Sequence, residues 1–169
     1  MVDFIAVFIF IFPQIIEYKS LSLSLYLIPK LDIIPTSPDL SVLEQELVDV
    51  QEREYKVKIL LNQIKIKYDY IFIDCPPSLG LLTLNALCAA KSLIIPLQTE
   101  FYALEGLSQL LNTLESIKGN FNKDITLQGI LLTMYDKRNK ICEMVSKDVK
   151  SHFSDKVFKT VIPRNVRIS

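Results

Sequence analysis

Short, continuously apolar runs alternate with longer amphipathic segments, and this alternation constrains the fold more than any other feature of the chain. The apolar runs occupy Tyr70–Asp74, Ser92–Leu97, Leu127–Tyr135 and Val157–Ile162. Strands that are buried on both faces of a parallel sheet have unbroken hydrophobic sequences of this kind. A repeated strand–helix–strand order therefore predicts an α/β fold in which a parallel sheet is flanked by helices on both faces.

The segments between these runs predict helices over 81–91, Ala103–Lys118 and Lys140–Phe153. Each has apolar residues three and four positions apart, which places them on one side of a helix. We expect Gly119 and Asn120 to end the second helix, because glycine is common just after the last helical turn.

Two further elements are predicted before the first run. Leu31–Pro35 is a short apolar segment that ends in proline, and it indicates a strand. A serine, a proline and an acid at 37–39 then have the composition of a helix start. Apolar residues recur at helical spacing from Leu40 to Ile64, which predicts an amphipathic helix or helix pair that reaches about Lys67.

Right-handed crossovers place the carboxyl ends of parallel strands at one edge of the sheet, where ligands of such folds bind. Polar residues follow several of the predicted strands and should gather there. They are Asp74, Gln98, Thr99, Glu100, Tyr135, Asp136, Arg164 and Asn165.

The chain opens with nine apolar residues in a row, Phe4–Phe12. A membrane-spanning helix needs roughly 20 such residues, so the run is too short to cross a bilayer as a helix. An acid, Asp3, precedes it where a secretory signal would have a basic residue. Its phenylalanines, isoleucines and valine predict a strand instead.

Charge is distributed unevenly although the net charge is zero. Residues 1–52 contain two basic and eight acidic residues, whereas residues 119–169 contain ten basic and five acidic ones. A basic C-terminal segment is typical of proteins that bind a partner with many negative charges, such as nucleic acid. An ordinary solvated face rich in lysine would have the same density of charge, so both interpretations stand.

Asp74 closes a hydrophobic strand with a carboxylate. In P-loop nucleotidases a carboxylate in this position holds the water shell of a magnesium ion. The same aspartate would also serve as a simple turn residue that accepts amide hydrogens from the following loop.

The residues that follow carry a resemblance. The sequence YDYIFIDCPPSLGLLTLNAL, residues 68–87, resembles the Walker B and switch II region of the ParA/Soj chromosome-partitioning ATPases, deviant Walker proteins related to MinD. The similarity continues through Pro96–Leu111, Gly129–Lys140 and Lys156–Ser169, and it includes Leu31–Ser41. The resemblance thus divides the chain into an unmatched opening, 1–26, and a partial ParA-type ATPase domain, 27–169, with an incomplete three-layer fold like that of P-loop NTPases.

The resemblance implies a set of cofactors, partners and site residues. ATP and magnesium would be the cofactors; non-specific DNA, a ParB-type protein and a second ParA-type subunit would be the partners, in the cytoplasm and at the nucleoid. Asp74 would act on magnesium through water. Switch II would include Pro76, Pro77 and Gly80; the adenine side would include Met134, Tyr135, Pro163 and Asn165; and DNA would contact Lys147, Lys150, Lys156, Lys159, Arg164 and Arg167.

The departures from the family pattern decide what activity to expect. No G-x-x-x-x-G-K-[ST] loop is present in these 169 residues, and the switch I aspartate of the family is also missing. Backbone amides and a lysine of that loop normally compensate the charges of a triphosphate. The sequence therefore predicts a fragment that does not hydrolyse ATP alone. Alternatives are a degenerate remnant, a DNA- or partner-binding module or, least favoured, a MinD-like membrane-cycling protein.

Overall fold

The computed structural model describes residues 4–7, 24–25, 31–33, 47–64, 68–75 and 80–165. It divides the chain into two compact units, residues 1–90 and residues 91–169. Each unit contains its own parallel strands, which agrees with the predicted α/β class. Among the described helices, none is long and apolar enough to cross a membrane.

The first unit contains a four-stranded sheet in the order β2-β3-β1-β4. β1 runs parallel to β3 on one side and to β4 on the other, so that Phe4 lies opposite both Leu31 and Tyr70. The predicted opening strand is thus confirmed for its first residues, in an inner position of the sheet, while residues 8–12 lie outside the described part. The strands are Phe4–Val7 (β1), Ser24–Leu25 (β2), Leu31–Ile33 (β3) and Tyr70–Ile73 (β4).

Part of the predicted amphipathic helix or helix pair, residues 40–46 and 65–67, lies outside the described residues. In the described part, turns occur between residues 47 and 52, a 3-10 turn follows at Arg53–Tyr55, and α1 covers Lys56–Ile64. Glu52 has a φ of 52°, a left-handed conformation that a regular helix cannot include, so the segment from 47 to 64 is not one unbroken helix. Leu47 and Val57, on the two sides of this break, are both buried, as their apolar spacing indicates.

A buried asparagine fixes the second helix of this unit, α2 (Leu81–Ala89), against the start of α1. The Asn85 side chain accepts a hydrogen bond from the Val57 N–H (3.2 Å) and donates to the carbonyls of Arg53 (2.8 Å) and Leu81 (3.0 Å). A buried amide is stable only when its donors and acceptor are satisfied, and these three bonds satisfy it.

The second unit contains three parallel strands in the order β5-β6-β7. Two helices, α3 and α4, pack on the same face of this sheet, because one buried cluster joins both helices to β5 and β6. The elements are Ser92–Gln98 (β5), Ala103–Asn120 (α3), Thr126–Tyr135 (β6), Lys140–His152 (α4) and Val157–Pro163 (β7). The cluster contains Ile95, Leu97, Leu107, Ile130, Leu132, Val145 and Val149.

Two details differ from the sequence-based expectation. α3 continues through Gly119 to Asn120, and Gly119 has no positive φ, so it does not end the helix. The strands are also less buried than their apolar runs predict, since Tyr70 and Phe72 of β4 are 52% and 49% exposed. Tyr70 and Phe72 alternate with Ile71 and Ile73, so they lie on the same face of β4, and that face is the more exposed one.

Candidate functional site

A cavity of about 800 Å³ lies at the carboxyl ends of β6 and β7 in the second unit. Tyr135 and Pro163 end these two strands, and α4 contributes Ser146 and Lys150. The cavity is thus on the edge of the sheet where the sequence predicted a binding site. Its lining consists of Tyr135, Asp136, Lys137, Arg138, Ser146, Lys150, Val161, Pro163 and Arg164.

The charge of this cavity is strongly positive. Four basic side chains line it and only one acidic side chain, Asp136, opposes them. Positive charges that converge on a concave surface raise the local concentration of anions and strengthen their binding. The cavity therefore suits a ligand that carries phosphate groups.

The turn that follows β6 is fixed by a two-point ion pair. Arg138 donates from Nε to Asp136 Oδ1 (3.1 Å) and from Nη2 to Oδ2 (3.0 Å), and its backbone N–H also donates to Oδ1 (2.9 Å). These hydrogen bonds hold the pKa of Asp136 below its ordinary value and raise the pKa of Arg138. The Arg138 side chain is 90% exposed, and two of its five N–H donors are engaged by the carboxylate. The turn thus presents an oriented guanidinium to solvent.

The same turn positions the beginning of α4. The Asn139 N–H donates to the Asp136 carbonyl (3.0 Å), and the Asn139 side chain accepts from the Ile141 N–H (2.9 Å) as a helix cap. An asparagine cap satisfies one of the first amides of a helix and favours a defined start. The cationic turn and the helix that contributes Lys150 are therefore positioned by one hydrogen-bonded segment.

The ends of β6 and β7 are joined by backbone contacts. Tyr135 lies opposite Pro163 in the sheet register, and the Arg164 N–H donates to the Tyr135 carbonyl (3.1 Å). Met134 has a φ of 52°, which is uncommon for a residue with a side chain and marks a locally strained backbone. Of the four predicted adenine residues, Tyr135 and Pro163 line the cavity, while Met134 and Asn165 are next to lining residues in sequence but not part of the lining.

The predicted DNA-binding residues do not all gather at one place. Lys150 and Arg164 line the cavity, whereas Lys147 pairs with Glu143 one helical turn away (2.7 Å). That hydrogen bond raises the pKa of Lys147 and lowers the pKa of Glu143. The others are elsewhere: Lys156 and Lys159 are exposed but outside the cavity lining, and Arg167 lies outside the described residues.

Sequence reasoning missed two cations of this cavity, Lys137 and Arg138. Both directly follow Asp136, which the sequence had already placed at the edge of the sheet. Their position in the sequence indicates their location, because residues just beyond the carboxyl end of a strand lie at the same edge of the sheet as the strand's last residue. Ser146 was also missed, since it is a small polar residue on the buried side of α4.

Asp74 belongs to the first unit. It follows β4 directly, and it is exposed to solvent. Among the described residues, no three side chains of the metal-binding types converge on one point. An exposed single carboxylate fits magnesium only if the ion keeps most of its waters, which is its usual behaviour in phosphate sites.

The neighbours of Asp74 are partly described. The pKa of the Cys75 thiol is raised to about 11 by burial and by the charge of Asp74, so the thiol stays protonated at neutral pH. Gly80 comes immediately before α2. Pro76 and Pro77 lie outside the described residues. Of the three predicted switch II residues, the structure therefore describes Gly80.

Comparison with known proteins identifies the relatives of this chain. A family model described as an AAA domain matches residues 10–127. The chromosome partitioning protein ParA of Caulobacter vibrioides is 51% identical over 144 residues, which cover 84% of this chain and 54% of that protein. The sporulation initiation inhibitor protein Soj of Bacillus subtilis is 54% identical over 142 residues, covering 84% and 56%. The chain thus spans about half the length of the curated relatives it matches.

Solved structures with the same fold include nucleotide complexes. Cobyrinic acid a,c-diamide synthase from Mycobacterium smegmatis, with a bound ATP analog and magnesium, is 38% identical with a TM-score of 0.74, over 80% of this chain and 56% of that one. A putative plasmid partition protein from Borrelia burgdorferi bound to AMPPNP is 25% identical with a TM-score of 0.71, over 85% and 55%.

Proposed function

This chain belongs to the ParA/Soj family of AAA-domain proteins, and from that premise we propose that it acts in the partitioning of chromosomes or plasmids by binding DNA without sequence preference. Its relatives are named for chromosome partitioning, and a similar solved structure is a putative plasmid partition protein. The observation that carries the proposal is the cationic cavity at the ends of β6 and β7.

The chemistry of the cavity matches a phosphodiester backbone. Arginine binds phosphate oxygens through paired N–H groups, and lysine contributes a mobile point charge. Such contacts position a protein on DNA but do not read its bases. Arg138, Lys150 and Arg164 are the residues that would make them, with Lys137 beside them.

A salt titration tests DNA binding directly. We expect the chain to bind a duplex of arbitrary sequence at low salt and to lose affinity as salt rises, because each neutralised phosphate releases counterions. The triple substitution R138A/K150A/R164A should flatten the slope of log K against log salt by about 2 to 3, at about 0.9 per lost phosphate contact. Substituting two exposed lysines outside the cavity, K118A/K123A, is the matched control and should leave the slope almost unchanged.

We also propose that adenine nucleotide, where it binds, places its base against Tyr135 and Pro163. These residues give a tyrosine ring and a proline ring at the ends of β6 and β7, against which a base can stack. Met134 and Asn165 would shape the neighbouring backbone. Separately, in the first unit, Asp74 would hold waters of a magnesium ion, an ion that neutralises phosphate charge when it is bound.

The nucleotide proposal includes an expected lack of ATP hydrolysis by these residues alone. Phosphoryl transfer relies on positive groups around the transferred phosphate, and a single arginine of this kind contributes about 10³–10⁵ in rate. The family's lysine-bearing glycine-rich loop is not encoded in these 169 residues. A DNA- or partner-binding module without enzymatic activity is therefore the alternative that the sequence favours.

A calorimetric titration with Mg-ATP and a phosphate-release assay distinguish a nucleotide-binding chain from a binding module that does not use nucleotide. We expect Mg-ATP to bind the chain weakly, with no phosphate release above background, while DNA binding persists. Micromolar affinity for Mg-ATP that Y135A removes and Y102F leaves intact would show that the base site works without the loop. Phosphate release that D74N abolishes would contradict the expected inactivity.

A further inference from the structure

One acid, Asp136, lies among the four cations that line the cavity. It follows β6 directly, and its side chain is 29% exposed. A carboxylate in a cationic cavity repels the phosphate groups that the cavity suits. Its charge therefore opposes phosphate binding, and any favourable contribution to binding must come from its contacts.

The contacts of Asp136 engage one particular edge of the Arg138 guanidinium. Nε and Nη2 of Arg138 donate to the two carboxylate oxygens of Asp136, at 3.1 and 3.0 Å. A guanidinium has five N–H donors in a rigid plane, and two of its edges can each form a two-point bond with an oxyanion. The edge made by Nε and Nη2 is occupied, whereas the edge made by Nη1 and the second hydrogen of Nη2 takes no part in this bond. Arg138 can therefore hold Asp136 and a phosphate group at the same time.

The exposure of Arg138 makes its orientation matter for binding. Its side chain is 90% exposed, and an exposed arginine samples many rotamers that must be given up when a ligand binds. Bonds from two guanidinium nitrogens to one carboxylate restrict these rotamers before the ligand arrives. Part of the entropic cost of binding is then already met in the free protein.

The carboxylate of Asp136 is itself held in place by the turn. The Arg138 backbone N–H donates to Asp136 Oδ1 (2.9 Å), and the Asn139 N–H donates to the Asp136 carbonyl (3.0 Å). The preceding residue, Tyr135, accepts the Arg164 N–H at its carbonyl (3.1 Å). Hydrogen bonds from Arg138, together with a smaller effect of the Arg164 charge, lower the pKa of Asp136, so this carboxylate is within electrostatic range of both arginines.

We propose that Asp136 is a positioning residue for phosphate binding: it orients Arg138 so that the free edge of the guanidinium forms a two-point contact with a phosphate group of the DNA backbone. The inference rests on the proposed DNA binding and names the residue that organises it. It also differs from the expectation for a purely electrostatic cavity, in which the loss of an acid only strengthens the binding of a polyanion.

A substitution that keeps the charge separates orientation from electrostatics. D136E retains a carboxylate but adds a methylene group, which shifts the carboxylate away from the backbone N–H of Arg138 and disturbs the two-point bond. We expect D136E to lower the affinity of the full 169-residue chain for a labelled duplex of arbitrary sequence by about three- to tenfold, the effect of ordering one long side chain. Fluorescence anisotropy at about 0.15 M salt measures this.

D136N removes the charge as well as the orientation. At low salt the lost repulsion offsets part of the lost contact, so the ratio of the D136N affinity to the wild-type affinity should fall below one as salt rises. A purely electrostatic cavity predicts a ratio above one that approaches one at high salt.

A double-mutant cycle shows whether Asp136 acts through Arg138. R138K keeps the positive charge but cannot form a two-point bond, so it should lower the affinity about as much as D136E does. The double variant D136E/R138K should bind no more weakly than either single variant, because both substitutions remove the same contact. E143Q is the matched control: it breaks the pair of Glu143 with Lys147 (2.7 Å) outside the cavity lining and should not lower the affinity.

An NMR spectrum of the arginine Nε–H groups follows the orientation without DNA. The Arg138 signal should be shifted and protected from exchange with water in the wild type, and it should lose both properties in D136E and D136N. Circular dichroism melting of every variant shows whether the fold is kept, and R138K with D136N gives the same test if D136E does not fold.

Different results would overturn this inference and the proposed function. An affinity of D136E equal to or above that of the wild type, while R138A/K150A/R164A flattens the salt slope, would show that the cavity binds DNA without help from Asp136, and the proposed function would stand. Additive losses in the double-mutant cycle would show that Asp136 acts independently of Arg138. A wild-type chain that binds no duplex even at low salt would reject the proposed function, and the inference with it.

Discussion

The second unit carries two surfaces of opposite chemistry. The cavity at the ends of β6 and β7 contains four basic side chains and one acid, whereas the turn after β5 contains two exposed rings, Phe101 and Tyr102, near the exposed acids Glu100 and Glu105 in the sequence. Both follow the carboxyl ends of strands in one three-stranded sheet. Neighbouring strands of a single sheet can thus present opposite charge at the same edge, because the loop residues after each strand determine the local charge.

The largest expected effect comes from reversing charge in the cavity. R138E/R164E should lower affinity for duplex DNA at low salt by about 100-fold or more, because two phosphate contacts become repulsive. K118E/K123E, a charge reversal outside the cavity, is the matched control and should lower the affinity far less. Fluorescence anisotropy with a labelled duplex measures this.

The reciprocal variant sharpens the contrast. F101A/Y102A should leave DNA affinity unchanged, because these rings are not part of the cavity lining. If it lowers DNA affinity as much as R138E/R164E does, the two surfaces are not independent.

A substitution in β6 should affect the cavity through its framework. A Cβ at Gly129 would lie 2.8 Å from the Phe158 ring, in β7, and 3.0 Å from the carbonyl oxygen of Lys156, the residue just before β7. We expect G129A to lower the free energy of unfolding by about 1 to 3 kcal/mol, as for other overpacked sites. Chemical denaturation measures the loss, and G106A, where the added Cβ has open space, is the control. An unchanged midpoint for G129A would mean that β7 moves aside at no cost.

A substitution at Thr99, directly after β5, should raise the free energy of unfolding instead of lowering it. The Thr99 hydroxyl is buried and has no hydrogen-bond partner among the described residues. T99V replaces it with a methyl group of similar size and should raise the stability by about 1 kcal/mol, since an unsatisfied buried hydroxyl is costly. Thermal melting measures the gain, and T113V on the exposed side of α3 gives the comparison, because the Thr113 hydroxyl bonds to the Gln109 carbonyl. A lower melting temperature for T99V would indicate that this hydroxyl does have a partner.

The smallest expected effect is a dependence of the folding stability on pH in the acid range. Hydrogen bonds from Arg138 lower the pKa of Asp136, so the folded state binds this proton less readily than the unfolded state does. The resulting stabilisation is complete above the ordinary aspartate pKa and is lost as pH falls through the lower folded value. NMR titration of the Asp136 carboxyl should show the depressed pKa in the wild type. R138A should return it toward the ordinary value, whereas K118A should not.

Much of the fold could be predicted from local patterns, and the failures have physical causes. The strands after residue 90 and both helices between them were predicted to within about three residues, because apolar runs and helical spacing directly report which side chains leave water. Burial on both faces was not predicted correctly. Ile94 and Pro96 of β5 are exposed although they belong to an unbroken apolar run, because α3 and α4 cover only the other face in this unit.

The candidate site, like the fold, was predicted only in part. The positions of Tyr135, Pro163 and Arg164 at one edge followed from strand ends and the family resemblance. The prominence of Arg138 did not, because it depends on a two-point bond to Asp136 that orients the guanidinium. Lys147 illustrates the reverse: its charge is visible in the sequence, but only the structure shows that Glu143 pairs with it.

Composition and short-range periodicity were enough to predict the order of the main strands and helices and the basic character of the C-terminal third. The quoted motifs indicated the family, and the same residues showed that no lysine-bearing phosphate loop is encoded among them. The convergence of particular cations on one cavity and the exposure of particular aromatic rings became visible in the folded structure. Convergence and exposure depend on contacts between residues far apart in the chain, and no local pattern encodes the distances at which electrostatic attraction and burial act.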